Sequence, residues 1–140
     1  MLETKPDPLV LARDIARAYL DTMEARDLAR AKRFLAPEFS MTFPGGRRFT
    51  TVEAMVDWAK QRYRWVKKRC DRFDVAQGPT ATHVYCFGTL YGDWLDGTPF
   101  EGVRFIDRFT VRSGKLVDQM AWNDVGEALD ARAERAASRG

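Results

Sequence analysis

A carboxylate on an apolar strand face is the feature of this sequence best suited to chemistry. In VRFIDRFTV, residues 103–111, a period of two places Asp107 on the same face as Phe105 and Phe109. The opposite face carries arginines and must be the solvated one, because unpaired charges are costly to bury. We therefore predict that Asp107 faces an apolar interior as a protonated hydrogen-bond donor. The alternative is a structural carboxylate that is paired with an arginine or a hydroxyl group.

His83 is the only histidine in the chain, and histidine is the side chain best suited to move protons near pH 7. In ATHVYCFGTLY it shares a strand face with Tyr85 and Phe87, whereas Val84 and Cys86 lie on the other face. Either face could point inward. If the aromatic face does, His83 is a candidate general base; the alternative is a hydrogen-bonded or surface histidine.

The run KQRYRWVKKRCDR holds seven basic residues in thirteen positions. On a helical wheel Lys60, Arg64, Lys67 and Lys68 lie opposite an apolar stripe, which is typical of a solvated helix face. Aromatic residues between basic ones can bind nucleic acid, but the net charge is only +3 and the chain has no nucleic-acid-binding motif. We therefore predict no nucleic-acid partner.

The composition of the 140 residues, 45% hydrophobic and 31% charged, is typical of one globular domain. The sequence shows no signal peptide and no run of about 18 apolar residues, so we expect a cytoplasmic protein without membrane contact. Cys70 and Cys86 are 16 positions apart and belong to no grouping of metal ligands. We accordingly predict no disulfide, no metal and no cofactor.

Capping residues and hydrophobic periods divide the chain into helices followed by strands. Asp7 and Asp27 each begin a helix, and a capping box at Thr50 begins a third helix over residues 51–68. A strand over residues 38–43 precedes that helix. A period of two then predicts strands near residues 71–77, 81–92, 100–112 and 115–123. This order indicates the α+β class, with a curved antiparallel sheet wrapped around three N-terminal helices.

The phrases ARAYLDTMEARDLARAKRFL and RFTVRSGKLVDQMAWNDVGEAL, together with the order of elements, resemble the nuclear transport factor 2-like superfamily. Ketosteroid isomerases, SnoaL-like polyketide cyclases and limonene epoxide hydrolases belong to it. The resemblance covers roughly residues 9–129 and implies a cone-shaped fold with a pocket between sheet and helices. We expect one domain over residues 1–129 and a helical or disordered tail over residues 130–140.

Two polar residues match the oxyanion hole of the ketosteroid isomerases. Tyr19 lies on the first helix, eight residues before an aspartate (Asp27), as their tyrosine does. Asp107 follows an isoleucine, as their aspartic acid does. The resemblance implies that both donate hydrogen bonds to a developing oxyanion. Their general base is absent, because Phe43 stands where they have aspartate, and Ala121 replaces the aspartate that limonene epoxide hydrolases need.

The turn RSG decides which residues of the last strand share a face with Asp107. A three-residue turn with Gly114 in the left-handed conformation pairs Asp107 with Gln119 and directs Gln119 and Asn123 inward. A two-residue turn directs Met120 and Trp122 inward instead. Hydrophobicity favours the second turn and the family resemblance favours the first, which we adopt.

The resulting prediction is a pocket that binds a small hydrophobic molecule bearing a carbonyl group. Its apolar lining is Trp58, Phe105 and Phe109; its polar groups are Tyr19, Asp107, Gln119, Asn123 and His83. Isomerisation, cyclisation and dehydration are the reactions that the resemblance implies. The alternatives are a pocket that binds without catalysis and an interaction module.

A homodimer through the outer face of the sheet is the predicted assembly. The adopted turn directs Ile106, Met120 and Trp122 outward, where they form an apolar patch. A second copy of the chain is the simplest partner for such a patch.

Overall fold

The computed structural model describes residues 7–139, which form four helices and six strands. The helices are α1 (Pro8–Glu24), α2 (Leu28–Lys32), α3 (Val52–Ala59) and α4 (Val125–Arg139). The strands are β1 (Leu35–Phe43), β2 (Arg47–Phe49), β3 (Tyr63–Gln77), β4 (Thr82–Trp94), β5 (Pro99–Arg112) and β6 (Lys115–Asn123). Residues 1–6 and 140, which belong to the predicted domain and tail, lie outside the described residues.

The strands form one curved, unclosed sheet in the order β2-β1-β6-β5-β4-β3. The predicted α+β class is confirmed, and β3 to β6 form the expected antiparallel meander. The sheet is nevertheless mixed rather than antiparallel, because β1 lies parallel to β6. A hairpin makes its two strands antiparallel, whereas β1 reaches β6 from a distant part of the chain and is not constrained by a turn.

The helices begin close to the predicted capping residues. The side chain of Asp7 accepts a backbone N–H in the first turn of α1, and Asp27 does the same for α2. α3 is capped by Thr51 rather than by Thr50. α4 continues through residue 130, so the division of the chain into domain and tail stays a prediction. Within residues 7–139 no helix has both the length and the apolar character needed to cross a membrane.

The third helix is shorter than predicted, since α3 ends at Ala59 and Tyr63 already begins β3. Tyr63 pairs with Trp94 and Val66 pairs with Gly92, which leaves one extra residue on β3 in this interval. The resulting β-bulge puts Tyr63 and Val66, three positions apart, on the same face of the sheet. That spacing imitates a helical stripe, which is why the sequence pattern was misleading here.

The hairpin between β5 and β6 combines the two alternatives that the sequence left open. Arg112 pairs with Lys115, so Ser113 and Gly114 form a two-residue turn, and both have positive φ (51° and 74°). The predicted three-residue turn is therefore wrong. One extra residue, Val117, then shifts the register of β6 by one.

Because of this bulge, the residues of β6 face inward and outward as they would after the predicted three-residue turn. Asp107 pairs with Ala121 rather than with Gln119. Gln119 and Ala121 are buried on the inner face, and Trp122 is exposed on the outer face. A turn of either length can therefore give the same orientation, because a single bulge reverses the effect of a one-residue slip.

Candidate functional site

A cavity of about 110 Å³ lies between α1, α3 and the inner face of the sheet. Its apolar lining comes from Leu20, Met23, Phe43, Met55, Trp58, Ala59, Tyr63, Val66, Leu90, Phe105 and Ala121. Its polar lining comes from Tyr19, Glu24, Arg26, Lys67, Lys68, Asp107, Gln119 and Asn123. A mainly apolar cavity with a few polar groups is typical of a small-molecule site.

The rings of Phe43 and Trp58 line this cavity, and the ring of Phe49 packs against both without lining it. The ring centroids of Phe43 and Phe49 lie 5.3 and 5.4 Å from that of Trp58. Phe43, at the position of the missing isomerase base, is thus part of an apolar wall. Phe105 lines the same cavity, but Phe109 does not: it is fully buried in the core. The prediction that Phe109 contacts a ligand is corrected accordingly.

Asp107 lies at the base of the cavity with only 1% of its side chain exposed, and the Lys68 ammonium group pairs with its carboxylate. The expectation that Asp107 has no cationic partner is therefore wrong. The same contact corrects the assignment of Lys68 to a solvated helix face. Because β3 begins at Tyr63, Lys68 falls on the inner face and its Nζ reaches to within 5.0 Å of the Phe105 ring centre.

Lys68 is the candidate site residue that the sequence did not single out. A signal for it was present: Val66, Lys68 and Cys70 share one face once a period of two is applied from Val66 onward. The helical interpretation of the basic run concealed this alternation. The pairing of Lys68 with Asp107 also crosses an intervening strand, so no pattern within β3 alone predicts this contact.

Tyr19 extends from α1 to the cavity and is buried. Its ring packs edge-on against Phe39 and Phe109, with centroid distances of 5.9 Å in both cases. Burial and, secondly, the charge of Asp107 raise the pKa of Tyr19 above its usual range. The hydroxyl group therefore remains a hydrogen-bond donor, and it donates to the Sδ atom of Met41 at 3.8 Å.

Two amide side chains complete the polar part of the cavity. Gln119 is buried on β6, where it pairs with Phe109 of β5. The Oδ1 atom of Asn123 accepts the backbone N–H of Val125 at 3.1 Å and so helps to begin α4. Both side chains lie where the sequence predicted.

His83 lies on the outer face of the sheet, away from the cavity. Its neighbours Val84 and Cys86 are fully buried on the inner face, so the alternating side chain of His83 points the other way. Its Nδ1 lies 3.4 Å from the Oγ1 of Thr110. The interpretation of His83 as the general base of this pocket is therefore corrected, because the sheet separates it from Asp107.

The outer face also carries exposed apolar residues. Ile106 is 37% exposed and Trp122 is 49% exposed, and the two residues pair with each other across β5 and β6. Met120 lies two positions before Trp122 on β6, where it pairs with Arg108. The outward direction that the sequence analysis assigned to these three residues is confirmed.

Several solved structures share the fold of this chain at low sequence identity. An NTF2-like protein of unknown function from Burkholderia pseudomallei has a TM-score of 0.70 and 16% identity, covering 84% of this chain and 93% of that one. TerC, crystallised with polyporic acid, has a TM-score of 0.70 and 18% identity, covering 89% and 97%. A protein named as a SnoaL-like polyketide cyclase from Jannaschia sp. CCS1 has a TM-score of 0.65 and 14% identity, covering 91% and 95%.

Sequence comparison places the chain in a family. None of the curated proteins matches it significantly. The family model of the SnoaL-like domain matches residues 16–119, from the second half of α1 to the middle of β6. The match covers Tyr19, Lys68, Asp107 and Gln119. The chain therefore belongs to the SnoaL-like domain family.

Proposed function

We propose that the cavity binds a small, mainly hydrophobic molecule that carries a carbonyl group, and that the protein catalyses proton transfer next to that carbonyl. The observation that carries this proposal is the Lys68–Asp107 ion pair at the base of an aromatic-walled cavity. Two of the similar structures support the ligand class: one is named as a polyketide cyclase, and TerC was crystallised with polyporic acid.

The proposed step begins with the Asp107 carboxylate, which removes a proton from the carbon next to the carbonyl group. The electron pair of that C–H bond moves to the carbonyl oxygen, which becomes an enolate. The Lys68 ammonium group and the Tyr19 hydroxyl group donate hydrogen bonds to this oxygen. Asp107 then returns its proton to the substrate, and return to a different atom gives isomerisation. Asp107 thus acts as a base here, in place of the oxyanion donor that the resemblance implied.

A pocket that binds without catalysis is the second candidate. Phe43 supports it, because an aromatic ring stands at the position where the isomerases have their base. Lys68 supports it too, because its ammonium group already occupies one oxygen of the Asp107 carboxylate. The two candidates differ in whether the bound molecule exchanges protons.

Replacement of Asp107 by asparagine tests the catalytic candidate. We expect the wild-type protein to accelerate deuterium exchange at the α-carbons of 2-tetralone in heavy water, followed by NMR. Asp107→Asn should reduce this acceleration about 10²- to 10⁴-fold, because an amide cannot accept the proton. Asp57→Asn is the matched control, since Asp57 is exposed on α3 and should leave the rate unchanged. Binding of 2-tetralone without any acceleration would favour the non-catalytic candidate.

A homodimer through the outer face of the sheet is part of the proposal. Ile106, Met120 and Trp122 form the contact, and burial of an exposed tryptophan contributes strongly to association. Sedimentation at micromolar concentration should give two chains for the wild type and one chain for Trp122→Asp. Leu95→Asp is the control, because Leu95 is equally exposed but lies in the turn between β4 and β5. A monomeric wild-type protein would contradict the proposed contact.

A further inference from the structure

Arg26 occupies a backbone position that favours glycine. It follows the last turn of α1 with a φ of 58°, and the backbone N–H of Asp27 closes the turn on the carbonyl of Thr22. Residues at this position are most often glycine, because a side chain makes the left-handed conformation unfavourable. Residues held in strained conformations cluster at functional sites, so the surroundings of the Arg26 side chain are of interest.

The side chain of Arg26 lies at the mouth of the cavity. One of its Nη1–H groups donates to the carbonyl of Met23 at 2.7 Å, which orients the guanidinium group. Partial burial lowers the pKa of Arg26, whereas the charge of Glu24 acts in the opposite direction. No carboxylate among residues 7–139 forms an ion pair with Arg26. Four of its five N–H donors are therefore available to an incoming acceptor.

The surroundings of the mouth carry more positive than negative charge. The guanidinium groups of Arg62 and Arg47 lie over the ring of Trp58, at 4.9 and 5.4 Å from its centre. Asp107 is neutralised by its own ion pair. Glu24 is the remaining carboxylate in the cavity lining, and it accepts the backbone N–H of Lys68 at 3.3 Å.

From these observations we propose that the ligand carries an oxyanion, such as a carboxylate, at the end that lies in the mouth of the cavity, and that Arg26 binds it. This inference rests on the proposed function, in which the carbonyl end of the same molecule lies at Lys68 and Asp107. A planar guanidinium group matches a carboxylate with two parallel hydrogen bonds, which fixes the orientation of the ligand. The substrate class is accordingly a hydrophobic keto acid.

Three related compounds test the inference: 2-tetralone, its 6-carboxylate and its 6-carboxamide. The carboxylate and the carboxamide have the same shape and differ in charge. By NMR titration, the wild-type protein should bind the carboxylate on the order of tenfold more tightly than the carboxamide. Arg26→Gln should remove most of this difference and leave the dissociation constant of the carboxamide unchanged. The preference should also weaken as salt is added.

The controls separate the contact with Arg26 from a general effect of charge. Arg30→Gln, on the exposed side of α2, should keep the full preference. Glu24→Gln should increase the affinity for the carboxylate, because it removes a like charge from the mouth. Equal affinity for carboxylate and carboxamide, or a preference that survives in Arg26→Gln, would overturn the inference alone. Failure of all three compounds to bind would overturn the proposed function together with it.

Discussion

Substitution of Lys68 by methionine is expected to lower the free energy of unfolding by about 3–5 kcal/mol. The substitution leaves the Asp107 carboxylate, which is 1% exposed, without its cationic partner. A buried carboxylate that loses its partner bears its desolvation cost alone. Denaturant unfolding of the variant and the wild type measures this difference. The dependence of the unfolding free energy on denaturant concentration should be the same for both proteins.

Substitution of the other partner, Asp107, should have a smaller effect. Asp107→Asn leaves the ammonium group of Lys68 unpaired, but 25% of the Lys68 side chain is exposed, so its flexible end can turn toward water. We expect a loss of about 1–3 kcal/mol, which is the range for a broken buried hydrogen bond. The order of the two variants thus follows from which partner is more deeply buried.

A double variant separates the ion pair from the packing around it. Lys68→Met combined with Asp107→Leu removes both charges, and its stability should lie within about 1 kcal/mol of the wild type. Lys67→Met, the same change at the exposed neighbouring position, should alter stability by no more than about 0.5 kcal/mol. Equal stability of Lys68→Met and the wild type would mean that the pair does not form in solution.

Replacement of Gly88 by alanine is expected to destabilise the fold by about 3 kcal/mol. A Cβ atom at this position would lie 1.8 Å from the carbonyl oxygen of Arg69 and 3.1 Å from the ring of Phe105. The Arg69 oxygen belongs to the backbone of β3, so relief of the contact requires the two strands to separate. The unfolding midpoint should fall with an unchanged slope.

The close approach at Gly88 is connected with the site. In the register of the sheet Gly88 lies opposite Cys70 on one side and Phe105 on the other, between the pairings that contain Lys68 and Asp107. A side chain there would push β3 away from the inner face and weaken the contact of Lys68 with Asp107. Gly88→Ala should therefore reduce ligand binding as well as stability.

Gly126→Ala is the matched control for this substitution. Nothing lies within 4 Å of a Cβ atom at Gly126, which is the second residue of α4. Alanine has the higher helix propensity, so the variant should be more stable than the wild type by up to about 1 kcal/mol. Opposite signs at Gly88 and Gly126 would confirm that contact, and not the loss of glycine as such, causes the effect. A Gly88→Ala protein as stable as the wild type would contradict the strand separation described above.

The sequence by itself determined the features that depend on neighbouring residues or on one strand face. Asp7 and Asp27 cap helices because a short polar side chain reaches the free backbone N–H groups of its own first turn. The alternation around Asp107 predicted that this carboxylate faces inward, and the order of elements together with two sequence phrases indicated the fold and its pocket. Each of these inferences needs only local geometry or a family pattern.

Only the tertiary structure decided the partner of Asp107 and the inward face of the strand that contains His83. Lys68 reaches Asp107 across an intervening strand, and a spacing of residues within one strand carries no information about such a contact. The strand of His83 has plausible apolar residues on both faces, so its orientation depends on the neighbours with which it pairs. Bulges at Arg64 and Val117 change the faces of two further strands, because one extra residue is enough to reverse a period of two.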